Sequence, residues 1–325
     1  MNQSIPAVFS DLLHRPNLTD LCVNHYSEVY IDEGRGMIRY GGPPLFKSEA
    51  EYRAFVLEQI SLSGKTWDAK LPFLDTIFFN SHRAHIAFPP LAQFGIYLSL
   101  RRLPNREIKS QITAQLEASA RWKNSESHFE ILKQAIREKE TVFFVGGTGS
   151  GKTTLLNDLL SFVPAEERLI ALEDTAEIHP AHPHFLSLLS RGPNADGFGA
   201  VKMTDLLRQT LRMRPDRILM GECRGDEILD LLQALNTGHH GTLATLHANS
   251  ARDALKRVEL LALIAAKGTI PGSLIKELMV NALQKIVYLS RENGQRKIQS
   301  ILAIQGMERD VILTRELTRV VFATP

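Results

Sequence analysis

The sequence predicts an α/β protein: a domain built on a parallel sheet, preceded by a smaller α+β domain. Three observations carry this. Residues 141–145 (TVFFV) form a fully apolar, β-branched and aromatic run that leads into a glycine-rich turn and a helical stretch, as a buried parallel strand does. Apolar runs at 169–172, 218–220 and 242–246 then alternate with amphipathic segments, the pattern of βαβ units. Before residue 104 the chain instead alternates apolar and polar side chains around one helical segment, which reads as α+β.

Taken in order, residues 21–31 alternate around Val23, Val29 and Ile31, which predicts strands, and Gly34 and Gly36 mark a turn before 37–40 resumes. Residues 48–62 place Ala50, Phe55, Val56 and Ile60 at helical spacing behind Ser48, a suitable N-cap. Residues 83–88 and 95–100 read as two further strands separated by Pro89-Pro90, and Pro104-Asn105 signals a turn. From there to Lys139 the chain is polar and helical. The domain junction therefore falls near residue 104, dividing the chain into 1–104 and 105–325. Residues 285–313 read as several short strands ended by Gly294 and Gly306.

Composition narrows the class. The chain has 325 residues, 44% hydrophobic and 23% charged, which excludes a disordered chain, a collagen and a disulfide scaffold. Its 38 Lys and Arg against 36 Asp and Glu leave a net charge of +2, which gives no support to an obligate nucleic-acid binder. The two cysteines, Cys22 and Cys223, stand far apart in no metal-like pairing. They fit reduced thiols in a cytoplasmic chain. No apolar run reaches the ~18 residues of a membrane span, and residues 1–20 lack the h-region of a signal peptide. Any membrane role is then peripheral.

Gly146, Gly147, Thr148, Gly149, Ser150, Gly151, Lys152 and Thr153 match G-x-x-x-x-G-K-[ST], after a buried strand and before a helix at 154–162. Glycines let the backbone curl so that N–H groups point inward, and the helix start adds its positive dipole end. Lys152 is the cation for the terminal phosphates, Thr153 the Mg²⁺ ligand, and Thr154 completes the phosphate-binding segment. A guanine-reading Asn-Lys-x-Asp segment is absent, which favours ATP over GTP.

Three further strand ends carry chemistry. Residues 217–222 (RILMGE) end in Glu222, placed to polarise an attacking water. Residues 172–177 (LEDTAE) offer Glu173 as a second carboxylate near the terminal phosphate, with a loop cap as the alternative. Residues 241–247 (GTLATLH) end in His247, held between a strand end and the capping box Ser250-x-x-Asp253. His179, His182 and His184 are interleaved with Pro180 and Pro183, which breaks any shared helical face and argues against zinc.

Together these four segments resemble the Walker A loop, Asp box, Walker B strand and His box of the secretion traffic ATPases. Those are the hexameric motors of type II secretion, type IV secretion and type IV pili. The likeness rests on GGTGSGKTTLLN, LEDTAEI, LRMRPDRILMGECRGDE and ALNTGHHGTLATLHANS, with LTDLCVNHYSEVYID, LPFLDTIFFNSHRAHIAFPPLA and IYLSLRRLP in the first half. Within the family it is most like the tight-adherence pilus motors (CpaF/TadA) and the TrbB-like conjugative ATPases. The resemblance implies a RecA-like P-loop ATPase domain behind a smaller α+β domain, with ATP and Mg as cofactors and six copies in a ring. It implies inner-membrane platform proteins of a pilus or secretion system as partners, peripheral association at the cytoplasmic face, and no direct nucleic acid. It also implies that arginines of the first domain, Arg83 and Arg101, serve the nucleotide, from the same chain or a neighbour.

There are departures. The tetracysteine module of many extension ATPases is missing, and Gly221-Glu222-Cys223-Arg224-Gly225 replaces the Gly-Glu-Met-Arg-Asp of retraction motors. The rival readings are a nucleic-acid translocase on the same core, a pilus-retraction motor, and a nucleotide-gated factor that does not hydrolyse. The aromatic fraction of 7% speaks against a stacking channel, and the retained Lys152, Glu173, Glu222 and His247 speak against the last.

Overall fold

The alternation before residue 104 resolves into a twisted antiparallel sheet with one covered face. The computed structural model describes residues 6–34, 36–68, 72–103, 110–193, 198–292 and 294–317; the turn at Pro104-Asn105 lies outside them. Contacts divide the chain into two units, residues 1–105 with 194–198 and residues 106–193 with 199–325.

In the first unit, α1 (Ala7–Leu13) precedes β1 (Asp20–His25), β2 (Glu28–Asp32) and β3 (Met37–Arg39). There follow α2 (Glu49–Leu62), β4 (Phe73–Phe78), β5 (His82–Ala87) and β6 (Tyr97–Arg102). The strands lie in the order β3-β2-β1-β6-β5-β4, each antiparallel to its neighbours. The period of two buries Leu21 and Val23, Ala84 and Ile86, Leu98 and Leu100 on one face. That face closes on Phe9 of α1 and on Tyr52, Phe55, Val56 and Ile60 of α2. Ser48 caps α2 as its sequence predicts, its hydroxyl accepting from the Glu51 N–H at 3.2 Å. Neither α1 nor β4 was signalled. In β4 Phe73 is exposed while Thr76 is buried, so polarity does not track the pleat.

The second unit opens with α3 (Gln111–Arg121) and α4 (Glu126–Arg137), then β7 (Val142–Val145), α5 (Lys152–Leu160), β8 (Leu169–Glu173) and β9 (Phe185–Leu189). It continues with α6 (Met203–Thr210), β10 (Arg217–Cys223), α7 (Glu227–Leu235), β11 (Leu243–Leu246), α8 (Ala251–Ala266), α9 (Gly272–Ala282), β12 (Lys285–Glu292), β13 (Gln295–Glu308) and β14 (Val311–Leu317). Its sheet runs β14-β13-β12-β7-β11-β10-β8-β9. Every pair from β12 to β9 is parallel, and β13 and β14 add an antiparallel edge. Each residue of β7, β8 and β11 is buried, because helices cover both faces. One layer is the cluster around Leu207, Leu231, Val258 and Met279. The other gathers Trp122, Phe129, Leu132, Leu155 and Leu159.

The tail corrects the expectation of several short strands. β12 joins the parallel sheet beside β7, and β13 runs on past Gly306, where the pairing with β14 only shifts register. A glycine inside a long strand marks a bulge rather than an end. The fold class, a RecA-like parallel-sheet domain behind a smaller α+β domain, is as the sequence predicts.

Candidate nucleotide site

The glycine-rich loop connects β7 to α5 and is shaped by close approaches. A methyl group at Gly146 would lie 2.3 Å from the Leu289 carbonyl oxygen of β12, and one at Gly151 would lie 2.7 Å from Cδ of Arg296. Both glycines also hold positive φ, 154° and 99°, so other residues would be strained there. α5 starts at Lys152, two residues before the predicted start, because Gly151 already occupies the cap position. Lys152 is buried, and its Nζ donates to the carbonyls of Gly146 at 3.0 Å and Gly147 at 2.9 Å.

This loop fits a phosphate chain. The Ser150 hydroxyl is buried and unbonded among the described residues, and a buried hydroxyl without a partner is costly unless a ligand supplies one. At Gly147 and Gly149, by contrast, an added Cβ would meet nothing within 4 Å, so the loop is open there. Thr153 opens the helix next to Lys152, where its hydroxyl could hold a magnesium ion. Gly147, Thr148 and Gly149 form the loop between, and Thr154 accepts from Nη1 of Arg296 at 3.0 Å.

Glu222 comes from β10 and His247 from the end of β11, and these strands are neighbours. His247 Nε2 lies 3.1 Å from Glu222 Oε1. Burial pushes the Glu222 carboxyl up, but Arg224, hydrogen-bonded to it, together with His247 and Lys152 outweighs that and holds it below the ordinary carboxylate value. Burial and then the Lys152 charge hold His247 below the usual histidine value, against the pull of Glu222. Near neutral pH the pair is therefore a carboxylate beside a neutral imidazole.

Glu173 ends β8 with only 2% of its surface exposed. Its Oε1 accepts from the N–H groups of Glu177 at 2.8 Å and Ile178 at 2.9 Å, and its Oε2 from the Ser187 hydroxyl at 3.2 Å. This is the loop cap that the sequence left as the alternative. Burial pushes its carboxyl up to about 7 in spite of those bonds.

Arg83 and Arg101 belong to the first unit and stand directly opposite each other on β5 and β6. The adjacent Arg102 is taken up elsewhere, donating to the carbonyls of Leu13 and Pro16. His182 and His184 bond to the Pro164 carbonyl and to Arg168. Among the described residues no group of three His, Cys, Asp or Glu is set to hold a metal. Cys223 is buried, and burial pushes its thiol well above the ordinary value.

Sequence reasoning gave no role to two residues of the site. Arg224 pairs with Glu222 and reaches Asp174 at 3.7 Å. The signal was its spacing, two residues beyond Glu222 along an extended segment, hence on the same side. Arg296, on the β13 strand beside the loop, had no local signal.

The family model described as "Type II/IV secretion system protein" matches residues 19–313. The conjugal transfer protein TrbB of Rhizobium radiobacter is 33% identical over 250 residues, 74% of this chain and 70% of its own. The type IV secretion system protein PtlH of Bordetella pertussis is 30% identical over 303 residues, 87% of this chain and 88% of its own. Among solved structures, the ATPase DotB of Legionella pneumophila aligns with a TM-score of 0.58 at 19% identity, covering 91% of this chain and 80% of its own, a likeness of fold. A family match over nearly the whole chain, reaching across both units and the loop, places this chain in the type II/IV secretion system protein family.

Proposed function

We propose that the chain is a Mg-dependent ATPase motor that powers secretion or pilus assembly. The observation that carries this is the convergence of Lys152, Glu222 and His247 on one end of a phosphate-shaped loop. Lys152 and the loop N–H groups hold the terminal phosphates. Magnesium at Thr153 would neutralise phosphate charge. Glu222, anionic at neutral pH, accepts a proton from the attacking water. The new O–P bond forms as the bond to ADP breaks, and the proton passes on to solvent. His247 orients Glu222 and registers whether the terminal phosphate is present. Glu173 is a positioning residue that shapes the loop after β8. Arg83 and Arg101 are proposed as the source of the further positive charge that the transition state needs.

The likeness to the family supports a homo-hexamer that works with inner-membrane platform proteins at the cytoplasmic face. Among the described residues no helix is long and apolar enough to cross a membrane, which is compatible with peripheral attachment. The test is Mg-dependent phosphate production from ATP by the purified chain. Lys152→Ala is expected to abolish it together with most ATP affinity, and a variant that binds ATP like wild type would sink the assignment.

A further inference from the structure

A cavity of about 450 Å³ opens beside the loop, and its basic wall has no part in the chemistry above. Gly146, Gly147 and His247 line it at one end, Asn249 follows just before α8, and Lys256 and Arg257 line it along α8. The first end can be oriented. Lys152 rests on the carbonyls of Gly146 and Gly147, and His247 hydrogen-bonds the Gly146 backbone while facing Glu222. The cavity therefore starts beside Lys152, Glu222 and His247, where the proposed ATPase reaction puts the terminal phosphate. The loop's other side, at Thr154, is taken by Arg296.

The α8 wall is continuous. Asp253, Lys256, Arg257 and Leu260 follow one another at i, i+3, i+4 and i+7, so they share one helix face. From the Ser250 cap to Arg257 the helix rises about 10 Å. Among the described residues neither Lys256 nor Arg257 makes a hydrogen bond or ion pair through its side chain. The acid nearest them in sequence, Glu259, is spent on Lys276 of α9 at 3.7 Å. Asp253 is the single acid in the wall, against two permanent cations, so the cavity is net positive. Solvated lysines and arginines are ordinary on a helix surface. Here the two exposed cations line a cavity that begins at the loop and His247.

We propose that this cavity is the exit path and transient binding site of the inorganic phosphate product, with Lys256 and Arg257 as its anion-binding groups. The proposal rests on the ATPase reading. After cleavage, ADP and hydrogenphosphate are two anions in contact, and they repel. ADP is retained by the loop. The small anion leaves toward positive charge, past His247 and along α8. A guanidinium with free donors is suited to hold a phosphate in two bonds at once.

Two measurements on the full chain test this. Inorganic phosphate is titrated calorimetrically into protein saturated with Mg and ADP, and phosphate release after a single ATP turnover is followed with a fluorescent phosphate reporter beside quenched-flow cleavage. Lys256→Ala/Arg257→Ala is expected to weaken phosphate binding about tenfold or more. Release should slow by a factor of about 3–10, while ATP affinity and the cleavage step stay as in wild type. Arg257→Gln, which removes the charge at an exposed position, is expected to reproduce most of the binding loss if the double variant proves unstable. Equal phosphate affinity in wild type and both variants, or release that keeps pace in them, overturns the exit path. A wild type that cleaves no ATP sinks the ATPase reading instead, and the ADP–phosphate titration still decides whether the cavity binds phosphate.

Discussion

Nε2 of His247 stands 3.1 Å from Oε1 of Glu222, so the ends of β10 and β11 meet in one polar contact. Glu222 is also held by Arg224, which ties it to Asp174 at the end of β8. A single carboxylate thus senses three strand ends, and its position depends on all of them.

The first prediction concerns that contact. Glu222→Gln keeps the shape and removes the proton acceptor. Turnover is expected to fall by ~10²–10⁴ with ATP still bound. His247→Ala should bind ATP and lose more in secretion or pilus output than in basal hydrolysis. Added to Glu222→Gln, it should cost little more hydrolysis, because two residues acting as a unit are not additive. Single-turnover hydrolysis of the four proteins checks this, and independent, additive losses would separate the two roles.

Glu173 gives a prediction with a sign. Its folded pKa, about 7, lies above the ordinary carboxylate value. The folded state then binds the extra proton, and stability falls as pH rises from ~4.5 to ~7. Glu173→Gln keeps an acceptor for the Glu177 and Ile178 N–H groups and turns an amide donor toward Ser187. It is expected to remove that pH slope and to leave turnover within about tenfold of wild type. Urea unfolding at pH 5 and pH 8 reads the slope. A turnover loss as deep as that of Glu222→Gln would make Glu173 a reacting carboxylate rather than a loop cap.

His82 sets the opposite slope in the first unit. Burial, then Arg102 and His14, lower its pKa to about 4, and its Nε2 is buried without a partner among the described residues. The unfolded state binds the proton first, so stability is lost as pH falls from ~6.5 toward ~4 and changes no further below that. The difference of ~2.5 pK units corresponds to about 3 kcal/mol. His82→Phe is expected to flatten the acid side of a stability-against-pH curve. An unchanged curve would mean that His82 titrates normally in the folded protein.

Arg101 faces Arg83 across adjacent strands, and two like charges in register are tolerated at some cost unless something offsets them. Arg101→Ala is expected to leave ATP binding largely intact and to slow turnover by ~10-fold or more, as loss of a transition-state cation does. Normal turnover in this variant, measured on the assembled protein, would pass the role to Arg83.

The local signals were readable from the chain alone. A buried run before G-x-x-x-x-G-K-T can form only a strand, a curled loop and a helix start, and the Ser48 and Ser250 caps bond within three residues. Glu222 and His247 were recognisable because acids and histidines at the ends of parallel strands face the crevice. The strand order was not readable. That β7 and β10 both flank β11, bringing Lys152 beside Glu222 and His247, follows from backbone pairing across a hundred residues. Burial was likewise decided in three dimensions. Desolvation and two backbone donors made Glu173 a loop cap, and the turn of β13 beside α5 brought Arg296 to Thr154. Spacing along the chain carries local hydrogen bonds and periodicity; desolvation and long-range pairing exist only once the sheet has closed.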